Sequence, residues 1–111
     1  MATFEELGFK DEILKAVSDM GFVDAMPIQE KVTPFLLSDD DRDLVALAQT
    51  GTGKTAGFGL PVLQLTDDSR NQIQTLILAP TRELCVQISN DLKNFAKYTK
   101  VKVVPVYGGE S

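Results

Sequence analysis

Apolar positions along the 111-residue chain change period several times. In DEILKAVSDM (11–20), Ile13, Leu14, Val17 and Met20 share one helical face, and Gly21 supplies a stop. Pro27 suits the first position of a second helix, whose apolar face is Ile28, Val32, Phe35 and Leu36. Pro34 inside that pattern is predicted to kink or shorten it. SDDDRD (38–43) is a polar loop. DLVALA (43–48) is a continuous apolar run, the pattern of a strand buried on both faces of a parallel sheet. A helix from about Gly53 to Leu65 follows, weakened by Gly57, Gly59 and Pro61. TDDSRNQ is a surface loop, and QTLILA (74–79) is a second buried strand. Thr81 can cap a third long helix with the stripe Leu84, Ile88, Leu92 and Phe95. VKVVPVY (101–107) is a third strand, pushed toward a sheet edge by its proline and ended by Gly108-Gly109. Strand, helix, strand, helix, strand is a βαβαβ order, so the predicted class is α/β with a parallel sheet. The two leading helices read as an appendage to it.

The composition, 43% hydrophobic, allows one small domain with a core. No apolar run reaches the roughly 18–20 residues of a membrane span, and Glu5 and Glu6 stand where a signal peptide would be basic. The single cysteine, Cys85, fits a reducing, cytoplasmic setting. A net charge of −5 argues against a surface that grips nucleic acid all over. That charge is uneven. Residues 1–43 hold eleven Asp/Glu against four Lys/Arg, and the remainder holds five against seven. Lys93, Lys97, Lys100 and Lys102 supply most of the positive side, and their pattern alone reads as a solvated helix face.

The candidate chemistry lies in AQTGTGKTAGF (48–58). A glycine-rich loop between a buried strand and a helix lets backbone N–H groups converge on phosphate oxygens, and the helix dipole assists. Lys54 is placed to reach the β- and γ-phosphates, and Thr55 to offer a hydroxyl to Mg²⁺. Ala48 takes the place of the usual first glycine, which is tolerable where φ is negative. Hydrolysis also needs an acidic strand end to hold the metal. Glu83 follows Pro80, Thr81 and Arg82, and Glu110 follows the Gly-Gly turn, so neither fits that role. Taken alone, these residues support nucleotide binding rather than turnover.

Four stretches together resemble the DEAD-box RNA helicases. The loop A-Q-T-G-T-G-K-T is similar to their phosphate-binding motif, in which alanine is usual at the first position. GFVDAMPIQ (21–29), with Phe4 upstream, resembles their adenine-sensing Q motif; APTREL (79–84) resembles motif Ia; Tyr107-Gly108-Gly109 resembles the GG element. The resemblance covers essentially the whole chain. It implies the first part of an N-terminal RecA-like domain, with residues 1–37 as the Q-motif region and 43–111 as the phosphate-loop βαβαβ portion. It implies ATP/ADP and Mg²⁺ as ligands. Gln29 would read the adenine edge with its paired amide donor and acceptor, and Phe4 would stack on the ring. Thr50, Gly51, Thr52, Gly53, Lys54 and Thr55 would hold phosphates and metal. Pro80, Thr81, Arg82, Gly108 and Gly109 would meet the RNA backbone.

Three residues, at two places in the chain, depart from the family pattern. Ala25-Met26 replaces a common Pro-Thr and removes a helix cap worth about 1 kcal/mol. Cys85 replaces alanine on what reads as a buried helix face. The family's acidic motif and its second RecA-like domain, with the arginine fingers, have no counterpart here, so the expectation is a truncated domain. Such a piece should bind adenine nucleotide weakly, fail to hydrolyse it or unwind RNA, and self-associate or exchange strands. Other readings are a non-catalytic nucleotide- or RNA-interaction module, or another P-loop NTPase such as a kinase or small GTPase. Without the resemblance, Gln29 reads as a helix-surface residue, Phe4 as a staple onto the first helix, and Arg82 as a surface ion pair with Glu83 or Asp91.

Overall fold

Glycine ends the first helix as its conformational freedom allows. Helix α1 runs Asp11–Asp19, and Gly21 takes φ +84° just beyond its end. The Gly21 N–H then bonds the Ser18 carbonyl, and the Phe22 N–H reaches back to Val17 at 3.1 Å. This pair of bonds satisfies carbonyls the helix would otherwise leave open. The computed structural model describes residues 3–38, 44 and 52–108, with side chains after Lys54 in the helix that begins at Thr52.

Helix α2 is Pro27–Leu37, α3 is Thr52–Leu65 and α4 is Arg82–Phe95. Proline opens α2 where its missing N–H costs nothing. The helix does not stop at Pro34 but continues to Leu37. Likewise α3 runs through Gly57, Gly59 and Pro61. These are interruptions that local propensity disfavours and burial overrides, because Ala56, Leu60, Pro61 and Leu63 are all buried. Thr81 caps α4, its Oγ accepting the Leu84 N–H at 3.1 Å.

Helix α3 is apolar nearly all round, so it needs cover on several sides. Phe4, Phe9, Ile13 and Val17 supply it from the N-terminal segment and α1, Ala25 from before α2, and Leu92 and Phe95 from α4. The two leading helices are therefore integral to the core rather than an appendage. Between α3 and α4 the approach is very close. A Cβ on Gly59 would lie 2.6 Å from Leu92 Cδ2.

The expected sheet is where the structure departs from the pattern. Among the described residues there is no strand ladder, and the β-pairing described is an isolated antiparallel bridge between Thr3 and Asp24. Residues 74–79 and 101–107 are without helix and alternate in burial. Ile77, Val101 and Val103 pack on the core, while Leu76, Leu78, Val104 and Val106 point to solvent. A strand buried on both faces needs a layer on each side and a bonded neighbour, and the described residues provide one layer. The first expected strand, 43–48, lies outside the described residues apart from Leu44.

Candidate functional site

Gln29 lies in the first turn of α2, reads as a polar helix residue, and is nevertheless only 2% exposed. Its Oε1 accepts the Met26 N–H at 2.8 Å. That bond fixes the side-chain amide against the turn that opens the helix. Met26 itself is the N-cap residue and is half exposed, and its thioether makes no capping bond, as its chemistry requires.

The start of α2 lies against the start of α3. A Cβ on Gly57 would be 3.8 Å from Val32 Cγ2 and 4.0 Å from Ile28 Cγ1, so the second turn of α3 packs on the N-terminal half of α2. Thr55, in the first turn of α3, is 8% exposed. The buried amide of Gln29 and the N-terminal end of α3 are thus on adjoining elements. The backbone of Thr52, Gly53 and Lys54 belongs to α3. The side chains of Thr52 and Lys54 lie outside the described residues, as do Thr50 and Gly51. The N-terminus of a helix of this length carries unpaired N–H groups and a partial positive charge, which favours phosphate.

Phe4 lies in the core rather than on a surface. It is 4% exposed, with its ring 6.4 Å from that of Phe9.

A second grouping forms at the start of α4. Arg82 donates from Nη2 to the Gly108 carbonyl at 2.6 Å, and its guanidinium lies 5.1 Å from the centre of the Tyr107 ring. Segments 26 residues apart in sequence are joined by that bond. Pro80, Thr81, Arg82 and Gly108 are all exposed, next to the N–H groups of the first turn of α4. Arg82 thus bonds a main-chain carbonyl where an ion pair with Glu83 or Asp91 was the alternative expectation. Gly109 lies outside the described residues. Cys85 is half-buried, with Sγ 4.0 Å from the Val106 carbonyl.

The profile of the DEAD/DEAH box helicases matches residues 26–111. This chain belongs to that family. Similar proteins include the DEAD-box ATP-dependent RNA helicase CshA of Bacillus cereus, 44% identical over 110 residues. The ATP-dependent RNA helicase CshA of Listeria monocytogenes is 49% identical over 109 residues. These alignments take in 99% and 98% of this chain and 21% of each relative, so the chain spans about a fifth of the length of the curated proteins it matches. Among solved structures, Saccharomyces cerevisiae Dbp5 bound to RNA and ADP BeF3 superposes with a TM-score of 0.85 at 38% identity, over 90% of this chain and 26% of that one. A DEAD box protein from the hyperthermophile Methanococcus jannaschii gives 0.84 at 36% identity, over 100% and 30%. The architecture of this DEAD-box chain is accordingly that of a RecA-like helicase domain, represented in the described residues by its four helices.

Sequence reasoning missed Gln64, which hydrogen-bonds the N-terminal segment, and it saw Gly59 only as a weak point of α3 and Tyr107 only within the GG element, not as the residues that let α4 approach and face Arg82. Gln64 did carry a usable signal, as a lone amide in the apolar run LPVLQL.

Proposed function

We propose that the chain is the adenine-nucleotide-binding part of an ATP-dependent RNA helicase, which couples ATP binding and hydrolysis to local RNA unwinding. The observation that carries this reading is the buried, hydrogen-bonded Gln29 amide on a helix whose N-terminal half packs against the second turn of α3. With Oε1 and Nε2 as acceptor and donor, the Gln29 amide has the pairing pattern of the adenine edge. Thr50 through Thr55 would cradle the phosphates. Phe4 is 4% exposed, so stacking on the base would require it to move out of the core.

Magnesium fits as a shared ion. Among the described residues no group of three His, Cys, Asp or Glu could hold a metal. The Thr55 hydroxyl is a hard oxygen donor at the start of α3, so phosphate oxygens and waters would supply the other ligands. The ion, when bound, neutralises phosphate charge.

Pro80, Thr81, Arg82, Gly108 and Gly109 would meet an RNA backbone, with the helix N–H groups and the Arg82 guanidinium facing phosphate. The structure of Dbp5 bound to RNA and ADP BeF3 supports both ligands for a similar fold. We further propose that DLVALA, QTLILA and VKVVPVY are strands of the parallel sheet of the helicase domain, and that this protein is cytoplasmic. Among the described residues no helix is long and apolar enough to cross a membrane.

Titration with ADP and Mg²⁺ tests the reading. Weak saturable binding that is lost in Lys54→Ala is expected, and no binding by a folded wild-type chain would overturn it. The 111-residue chain should show no RNA-stimulated ATP hydrolysis; robust turnover that Lys54→Ala abolishes would show that the chain holds more of the machinery than proposed.

A further inference from the structure

Resting on the adenine-binding reading, we infer that Gln64 is a positioning residue for base selectivity, acting through the N-terminal segment on Gln29. Gln64 is in the last turn of α3. Its Oε1 accepts the Lys10 N–H at 3.0 Å and its Nε2 donates to the Gly8 carbonyl at 3.1 Å. Both ends of one amide are therefore used on two backbone groups of the same segment. A flipped amide would face donor to donor and acceptor to acceptor, so the clasp has one orientation.

The clasped segment leads back to the site. Gly8 takes φ +94°, which turns the chain between the Phe4 and Phe9 anchors. At its other end the segment bridges Thr3 to Asp24, directly before Ala25 and Met26. Ala25 is fully buried, and the Met26 N–H holds Gln29 Oε1. The helix that presents phosphate-binding N–H groups at its start thus carries at its end the side chain that tethers the segment supporting the base-reading amide. The links are the Gln64 clasp, the Thr3–Asp24 bridge and the Met26–Gln29 bond, joined by short stretches of backbone. Loosening Gln64 frees residues 8–10, weakens the bridge at Thr3, and lets the Ala25–Met26 turn shift the Gln29 amide relative to α3.

The consequence is specific to the base. Phosphate affinity depends on the α3 N-terminus, which Gln64 does not touch, whereas discrimination between adenine and guanine depends on the Gln29 amide. Calorimetric titration of the chain with Mg-ADP and Mg-GDP, in wild type, Gln64→Leu and Gln64→Glu, separates the two. Loss of one or two modest hydrogen bonds predicts about a five-fold fall in the ADP-over-GDP affinity ratio for Gln64→Leu, with GDP affinity unchanged. Gln64→Glu keeps the acceptor for the Lys10 N–H but sets a carboxylate oxygen against the Gly8 carbonyl, so a fall in the same direction is expected, and it covers the case in which Gln64→Leu does not fold. An unchanged ratio in whichever variants fold, while wild type prefers ADP, overturns the positioning role and leaves the nucleotide site standing. A wild type that binds neither nucleotide, or both equally, overturns the adenine reading and the inference with it.

Discussion

At the scale of single residues, two glycines of α3 make opposite demands. Gly59 has no room for a methyl group, because Leu92 Cδ2 would stand 2.6 Å away. Gly57 has room, with Val32 and Ile28 at ordinary contact distance. Gly57→Ala should therefore stabilise the chain by about 0.5–1 kcal/mol through helix propensity. Gly59→Ala should destabilise it by about 1–3 kcal/mol, since the buried Leu92 must leave its rotamer or α4 must shift. Urea midpoints of the two variants decide this, and the same sign in both would contradict the packing described. Met26 offers a third case. It is an N-cap without an oxygen, and Gln29 already returns the reciprocal bond at N3. Met26→Thr should complete the capping box and add about 1 kcal/mol. A thermal midpoint at or below that of wild type would show that the exposed methionine has another use.

At the scale of elements, helices were legible and strands were not. Periodicity placed all four helices within a residue or two of their observed ends, because amphipathic spacing, Thr81 and Gly21 are local signals. Pro34, Pro61 and the α3 glycines misled only about continuity, where burial outweighs propensity. The apolar runs 74–79 and 101–107 marked segments without helix, but pairing depends on neighbours that no local pattern names. Arg82 illustrates the same limit: its type and place were readable, its partner Gly108 was not. The contact between α1 and the end of α4 gives an element-scale test. Tyr98 donates its hydroxyl to Asp19, and Lys97 lies 3.0 Å from the same carboxylate. The Tyr98 hydrogen bond, then that from Lys97, lowers the Asp19 pKa; the bond to Asp19 raises those of Tyr98 and Lys97. A lowered carboxylate pKa adds stability above about pH 4, lost as pH falls through the folded value. Raised Tyr and Lys values add stability below about pH 10, lost as pH climbs through theirs. These groups are exposed, so the effect is small and screened by salt. In denaturant melts across pH, Tyr98→Phe should flatten both limbs slightly, and an unaltered profile would remove this contact from the account.

At the scale of the whole molecule, the four helices enclose a core, yet a row of apolar side chains remains outside it. Ile73, Leu76, Leu78, Val104 and Val106 are each at least three-quarters exposed. Segments that alternate in this way, without a ladder among the described residues, invite pairing with another chain. Sedimentation velocity of the 111-residue chain should reveal concentration-dependent dimers or larger species, and Leu76→Lys with Val106→Lys should shift it toward monomer. A monodisperse wild-type monomer across the accessible concentration range would contradict this. The central claim is that the first turns of α2 and α3 form one nucleotide site. Hydrogen exchange with and without saturating Mg-ADP tests it most directly. The account predicts added protection together at residues 26–29 and 52–57 and little change in α4; protection confined to α3, or appearing elsewhere with residues 26–29 unmoved, would contradict it.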